Sequence, residues 1–383
     1  MTQSARFAPI LDRARVVVCV GPGGVGKTSC SAAIGLHAAR QGRRVAVLTI
    51  DPARRLANAL GLPEIGNQER DIPSSAFESM GLEAPSGRMS AMMLDIKTSW
   101  DHVVRSYHPD PVVRERLLKN RFYRTLSTSL AGSQEYMAME KLYELVHRKD
   151  DPLDLVVLDT PPAASAVDFL EAPNRMLGAL DNDATRWLMN ATTSGGGFGK
   201  RIFGVSTSIF VRTIGKFTGI ETLNELSAML SGFSDMYDGF QQRAKAVNKT
   251  LVDPRTIFMV VSSPRSGPLK DAEQFTRKLL KKKLTVGGIV LNRATADPFG
   301  GGRHPLPEAE LTKIFEECGG SPELANQVIG EANLRTKEFE SQKKLIQLLS
   351  ERFHGLKTCL VPDFVGDIHD LHGLTLMENE LFG

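Results

Sequence analysis

A chain of 383 residues, 42% hydrophobic and 24% charged, can bury a large core and has the balance of a folded globular protein rather than a disordered one. Its 47 basic and 44 acidic residues leave a net charge of +3, too small to argue for a stable nucleic-acid partner. No apolar run approaches the about 20 residues of a membrane span, the start from Met1 to Asp12 lacks a signal-peptide core, and Cys19, Cys30, Cys318 and Cys359 form no Cys-x-x-Cys pair. A cytoplasmic protein is expected, with no disulfide framework and no zinc site built within one chain.

In chain order, the first element is the β-branched run Arg15-Val16-Val17-Val18-Cys19-Val20, which reads as a buried strand. It runs directly into Gly21-Pro22-Gly23-Gly24-Val25-Gly26-Lys27-Thr28, and a long Ala-rich helical pattern follows from Thr28 to Ala39, closed by Gly42. Gly, four residues, then Gly-Lys-Thr, between a strand and a helix, is the pattern of a phosphate-binding loop. Glycines let successive backbone N–H groups turn toward phosphate oxygens, and the helix N-terminus adds positive potential. Gly21, Gly23, Gly24, Val25, Gly26, Lys27, Thr28 and Ser29 are therefore expected to bind a nucleoside triphosphate. Lys27 falls against the β- and γ-phosphates, and the Thr28 hydroxyl against Mg²⁺.

A second apolar strand, Arg44 to Ile50, ends in Asp51-Pro52-Ala53-Arg54-Arg55. Ligand chemistry in α/β sheets gathers beyond the carboxyl ends of strands, where Asp51 could orient an attacking water or hold a water of the metal. Asp before Pro is equally a helix N-cap. Residues 62–88 read as a Pro/Ser/Gly-rich loop, Met89 to Asp95 as a short strand, and Ile96 to Arg148 as about three helical segments. These are broken near His108-Pro109-Asp110-Pro111 and Ala131-Gly132.

Leu153 to Leu158 is a further apolar run, ending in Asp159-Thr160-Pro161-Pro162. A carboxylate at that strand tip suits Mg²⁺, directly or through water, although buried strands also end in a capping Asp. Residues 174–245 change character, with a Gly-rich break at 194–199 flanked by apolar helical patches. Met137, Met139, Met176, Met189, Met229 and Met236 could line a surface for varied apolar partners or simply fill a helical core. The α/β rhythm then returns: a strand from Thr256 to Val261, a basic-ended helix from Lys270 to Lys283, and a strand from Val286 to Leu291 before Asn292-Arg293. A loop over 297–308, helical patterns from Glu308 to Arg352 and a last strand, Thr358 to Val361, before Pro362 complete the chain. The fold class is α/β: a doubly wound, mostly parallel P-loop NTPase sheet with helical insertions. The ATPase core takes 1–95, 151–173 and 246–383, and the insertions 96–150 and 174–245.

In their order, the phosphate loop, Thr49-Ile50-Asp51-Pro52-Ala53, Asp159-Thr160-Pro161-Pro162 and Leu291-Asn292-Arg293 resemble the ArsA family of P-loop ATPases. That family includes arsenite-pump ATPases and the cytosolic ATPase that targets tail-anchored membrane proteins. The segments Leu130-Ala131-Gly132-Ser133-Gln134-Glu135-Tyr136 and Asp168-Phe169-Leu170-Glu171-Ala172-Pro173 are most similar to its bacterial branch. The resemblance implies ATP hydrolysis with Mg²⁺ held by Thr28 and Asp159, Lys27 and Asp51 as catalytic groups, and Asn292 on the adenine edge with the backbone near Pro362 flanking the ring. It implies a dimer, of identical chains or with a paralogue, whose ATP-driven closure joins the inserted helices into a groove for an apolar client such as a membrane-protein segment. On local sequence alone, Asn292 could instead be a turn residue after its strand.

Two departures bear on that likeness. Pro22 stands where the family usually has a Lys that reaches the partner's phosphates, so Arg54, Arg55 or a paralogous partner would have to supply that charge. The separated cysteines argue against a metalloid site. A partition- or division-site-type ATP switch on a membrane surface or DNA is the alternative, disfavoured by the acidic, short tail Asp367 to Leu374.

Overall fold

The computed structural model describes residues 7–50, 55–62, 65–129, 133–161, 171–172, 178, 220–297, 308–364, 366 and 368–383. Asp51, Arg54, Met176, Met189 and the Gly-rich break at 194–199 lie outside them. The described strands are β1 (Val16–Val20), β2 (Arg44–Thr49), β3 (Arg70–Asp71), β4 (Arg88–Met93), β5 (Leu155–Asp159), β6 (Thr256–Ser262), β7 (Thr285–Ala294) and β8 (Thr358–Pro362). The helices up to β5 are α1 (Ala8–Leu11), α2 (Lys27–Arg40), α3 (Arg55–Ala59), α4 (Ser74–Glu78), α5 (Ile96–Tyr107), α6 (Pro111–Lys119), α7 (Arg121–Ser129) and α8 (Ser133–His147). After it come α9 (Ile220–Ser234), α10 (Tyr237–Val252), α11 (Ser266–Lys281), α12 (Glu308–Glu317), α13 (Pro322–Arg352) and α14 (Leu371–Phe382).

One eight-stranded sheet runs in the order β3-β4-β2-β5-β1-β6-β7-β8. Every pairing is parallel except that of the short edge strand β3. All five residues of β1 are buried. Val16, Val18 and Val20 enter the core on one face, and Val17 and Cys19 the core on the other. That is why β1, β5 and β6 read as unbroken apolar runs: a parallel sheet covered on both faces has no polar side. Burial stabilises each such side chain by about 1.5–3 kcal/mol. Helices α1, α2, α3 and α14 cover one face, and α8, α10, α11 and α13 the other.

After β1 the chain moves out to β2, β3 and β4, then returns so that β5 slots between β2 and β1, and only then crosses to β6, β7 and β8. The direction of winding reverses at β1 and β5, and the crevice outside their carboxyl ends is where such a sheet binds ligands.

Helices α5 to α10 pack around Trp100, whose ring lies 5.8 Å from Tyr136, 5.9 Å from Phe233 and 6.1 Å from Phe240. Met137, Met139, Met229 and Met236 are buried in this core, so these four methionines fill it rather than line a surface. Between α8 and α10, Arg243 Nε lies 2.9 Å from Glu140 Oε1, and its guanidinium sits 3.4 Å from the centre of the Tyr107 ring.

Several elements depart from the sequence reading. The loop expected over 62–88 contains β3 and α4, which are too short to show a period but bury Phe77 completely. The helical region 96–148 has an extra break at Asn120, whose Oδ1 accepts from the N–H groups of Phe122 and Tyr123 and so caps α7. Helix α11 starts at Ser266, four residues before Lys270, because Pro268 in a first turn gives up no intrahelical hydrogen bond. Strand β7 continues through Asn292 to Ala294, so Asn292 is a strand residue. The tail is not merely a short acidic end: α14 buries Leu371, Leu374, Met377 and Leu381 against α2 and β8.

Candidate nucleotide-binding site

The loop from Gly21 to Gly26 leaves the tip of β1 and feeds α2. A Cβ on Gly21 would stand 1.9 Å from the Val261 carbonyl oxygen, so only glycine lets the loop pass β6. Gly26 caps α2 with φ 89°, and a Cβ there would meet Asn292 Nδ2 at 2.2 Å. Gly23 and Gly24 are exposed, Val25 is buried, and Thr28 and Ser29 lie half-buried in the first turn of α2. Lys27, only 6% exposed, donates from Nζ to the carbonyls of Gly21 (3.1 Å) and Pro22 (2.8 Å). Those two acceptors compensate the buried ammonium.

Asp159, at the tip of β5, joins the loop to β2. Its Oδ2 accepts from Thr28 Oγ1 at 2.7 Å and from Thr49 Oγ1 at 2.9 Å. Thr160 Oγ1 donates to the Cys19 carbonyl at 2.7 Å, and the Ile50 N–H to the Asp159 carbonyl at 3.3 Å. From the helical layer, Gln134 Nε2 donates to the Ile50 carbonyl at 3.2 Å. Asn292, 5% exposed, donates from Nδ2 to the Val25 carbonyl at 2.9 Å, so β7 buttresses the loop.

Gly21, Gly23, Gly24, Val25, Gly26, Lys27, Thr28, Ser29, Asp159 and Asn292 thus meet at one end of the sheet. Pro362 ends β8, one strand beyond Asn292, with the Asp363 N–H bound to the Ala294 carbonyl at 2.9 Å. Arg55 opens α3 and is exposed. Sequence reasoning assigned no role to Thr49, Thr160 or Gln134. A hydroxyl two residues before a strand-tip Asp was the available signal for Thr49.

The residues fit the groups such a loop takes. Hard oxygen donors suit Mg²⁺, and the Thr28 hydroxyl and Asp159 carboxylate provide them side by side. The cysteines distant in sequence do gather: Cys19, Cys30 and Cys359 are all buried. Burial pushes the Cys19 thiol up to about 12 and that of Cys30 well above its ordinary value, with Cys19 and Cys359 adding to the latter. Among the described residues no group of three His, Cys, Asp or Glu side chains could hold a metal, and no helix is long and apolar enough to cross a membrane.

A doubly wound parallel sheet, a Gly-x4-Gly-Lys-Thr loop between its central strand and a helix, and a strand-tip Asp on the loop's Thr define a P-loop nucleoside triphosphatase. The model of the anion-transporting ATPase (ArsA) family matches residues 14–300, and the chain belongs to that family. It is 24% identical over 287 residues to a putative arsenical pump-driving ATPase 1 from Aquifex aeolicus, across 73% of this chain and 63% of that protein. With an ATPase get3 from Schizosaccharomyces japonicus it shares 25% over 280 residues, covering 73% of this chain and 74% of the other. With ATPase GET3A from Arabidopsis thaliana it shares 23% over 278 residues, covering 72% and 66%.

Proposed function

We propose that the chain is an ATP-driven switch that binds Mg·ATP at the Gly21–Ser29 loop, hydrolyses it, and uses the cycle to close and reopen a dimer around an apolar client. The observation that carries this reading is Asp159 Oδ2 accepting from Thr28 and Thr49 together, which ties the phosphate loop to the strand leading into Asp51. In it, Lys27 turns from the Gly21 and Pro22 carbonyls to the β- and γ-phosphates, exchanging neutral acceptors for charged ones. Thr28 and Asp159 would hold Mg²⁺, which would supply charge neutralisation to the phosphates. Asp51 orients the attacking water. Asn292 and the backbone near Pro362 flank the adenine.

Family membership and the relatives named GET3 support the client reading, with the helical layer of α5 to α10 as the moving part. A membrane- or DNA-positioning switch is disfavoured because α14 spends its apolar side on α2 and β8. A metalloid pump is disfavoured because Cys19, Cys30 and Cys359 are buried in the core, away from an incoming oxyanion.

The test is oligomeric state by light scattering, and turnover, for wild type and Asp51→Asn with and without Mg·ATP. A dimer that forms with ATP and persists in Asp51→Asn with turnover lost supports the switch. Unchanged turnover in Asp51→Asn removes Asp51 from the chemistry. A wild type that dimerises only when mixed with a paralogue carrying Lys at the position of Pro22 assigns the missing charge to the partner.

A further inference from the structure

We propose that Thr49 is a positioning residue for the metal: its hydroxyl fixes the Asp159 carboxylate in the orientation that ligates Mg²⁺. The inference rests on the assignment of Mg²⁺ to Thr28 and Asp159 above.

Thr49 is 2% exposed and stands directly opposite Asp159 in the β2–β5 register. The backbone there is pinned by the Ile50 N–H on the Asp159 carbonyl at 3.3 Å. A β-branched side chain at such a point has little χ1 freedom, so its Oγ1 arrives at Asp159 Oδ2, at 2.9 Å, in a fixed direction. Thr28 donates to the same oxygen at 2.7 Å, but from the first turn of α2, the helix that follows β1, rather than from the neighbouring strand. The two donors have different tasks. Thr28 must turn oxygen lone pairs to an ion while keeping its hydrogen on Asp159. Thr49 donates to the carboxylate from the buried end of β2 and need not turn toward the ion. Without it Asp159 Oδ2 would lose one of the two hydroxyls that orient it, and the ion would meet a less well aligned oxygen. Partners that orient a ligating carboxylate in this way typically govern about 10–100-fold of metal affinity. Because Asp51 follows two residues later, the same hydroxyl also keeps the end of β2 in step with the metal ligand.

The experiment titrates Mg²⁺ into the full chain at a fixed concentration of a fluorescent ATP analogue, following the fluorescence change, with EDTA as the zero point. For Thr49→Val the half-saturating Mg²⁺ is expected to rise at least about tenfold, for Thr49→Ser to stay within about twofold of wild type, and binding in EDTA to be unchanged. Excess Mg²⁺ should then recover the turnover of Thr49→Val, which a general loosening of the strand end would not allow. A Thr49→Val titration superimposable on wild type overturns the proposal. So does an equal loss in Thr49→Ser, which would mean that shape rather than the hydroxyl matters. If Thr49→Val fails to fold, Thr49→Cys, a weak donor of similar size, takes its place with the same criterion. A wild type whose analogue binding ignores Mg²⁺ overturns the metal assignment itself, and is recognised before any variant is compared.

Discussion

The imidazole of His37 lies flat on the ring of Phe382, with centroids 4.0 Å apart and planes 9° from parallel. This stack fastens α14 to α2, the helix that starts at Lys27. Beside it, the buried Glu378 stands 3.1 Å from His37 Nδ1 and pairs with Arg40, whose Nη2 donates to Thr375 Oγ1 at 3.2 Å. Phe382→Ala is expected to cost about 3 kcal/mol, the low end for a buried Phe because the site lies at the end of α14. Urea unfolding of the two proteins measures it, and a loss below about 1 kcal/mol would mean that α14 only rests on the core.

Burial raises the Glu140 carboxyl from the ordinary 4.5 to about 7, against the lowering influence of Arg243 and with a further rise from Glu144. A carboxyl whose folded value lies above its unfolded one holds its proton longer when folded, so stability falls as pH rises from about 4.5 to about 7. Glu140→Gln is expected to flatten that slope. Melting temperatures of both proteins at pH 5, 6, 7 and 8 provide the comparison. Parallel curves would show that Arg243 keeps Glu140 ionised throughout.

Gly26 and Asn292 share one space, and Gly26 has φ 89°. Gly26→Ala is therefore expected to strain the backbone, displace the Asn292 amide from the Val25 carbonyl and weaken ATP binding. Asn292→Ser in the same chain vacates the space without relieving φ, so relative to Asn292→Ser alone the Gly26→Ala change should cost less affinity than it does in the wild type. Calorimetric titration of ATP into the single and double variants separates the two costs. No loss from Gly26→Ala in the Asn292→Ser background would mean that only the clash mattered.

Lys27→Met exchanges a buried ammonium for an apolar side chain of similar length. Removing the desolvated charge should leave the melting temperature unchanged or raised. The charged contact to phosphate is worth about 1.5–3 kcal/mol, so ATP should bind about 10–100-fold more weakly. A lowered melting temperature together with unchanged affinity would assign Lys27 to the loop's structure alone.

The central strands and the loop were legible because burial on both faces leaves continuous β-branched runs, as in Val16 to Val20, and because glycine at positions 21, 24 and 26 answers a backbone demand. Asp159 was legible as a strand-tip carboxylate. What the sequence withheld was pairing. Nothing local says that Asn292 would reach back to Val25, or that Thr49 would share an oxygen with Thr28, since these contacts join elements far apart in the chain that sheet order brings together. Asn292, for which a turn was the local alternative to a place on the adenine edge, lies within a strand because β7 runs on past it. Helix α14 was passed over for its acidic lead-in, although Leu371, Leu374, Met377 and Leu381 carry a helical period.

The sheet order also dictates when the site can exist during synthesis. β1 pairs only with β5 and β6, so the strand bearing the phosphate loop leaves the ribosome with both of its edges unpaired. Its first neighbour is complete at Asp159 and its second at Ser262, roughly 100 residues later, or about 5–20 s at ordinary elongation rates. Through that interval a Val-rich strand has an open edge, the kind of surface that chaperones hold and neighbouring nascent chains can pair with. Nucleotide cannot assist folding early, because Thr28 and Asp159 are 131 residues apart in the chain.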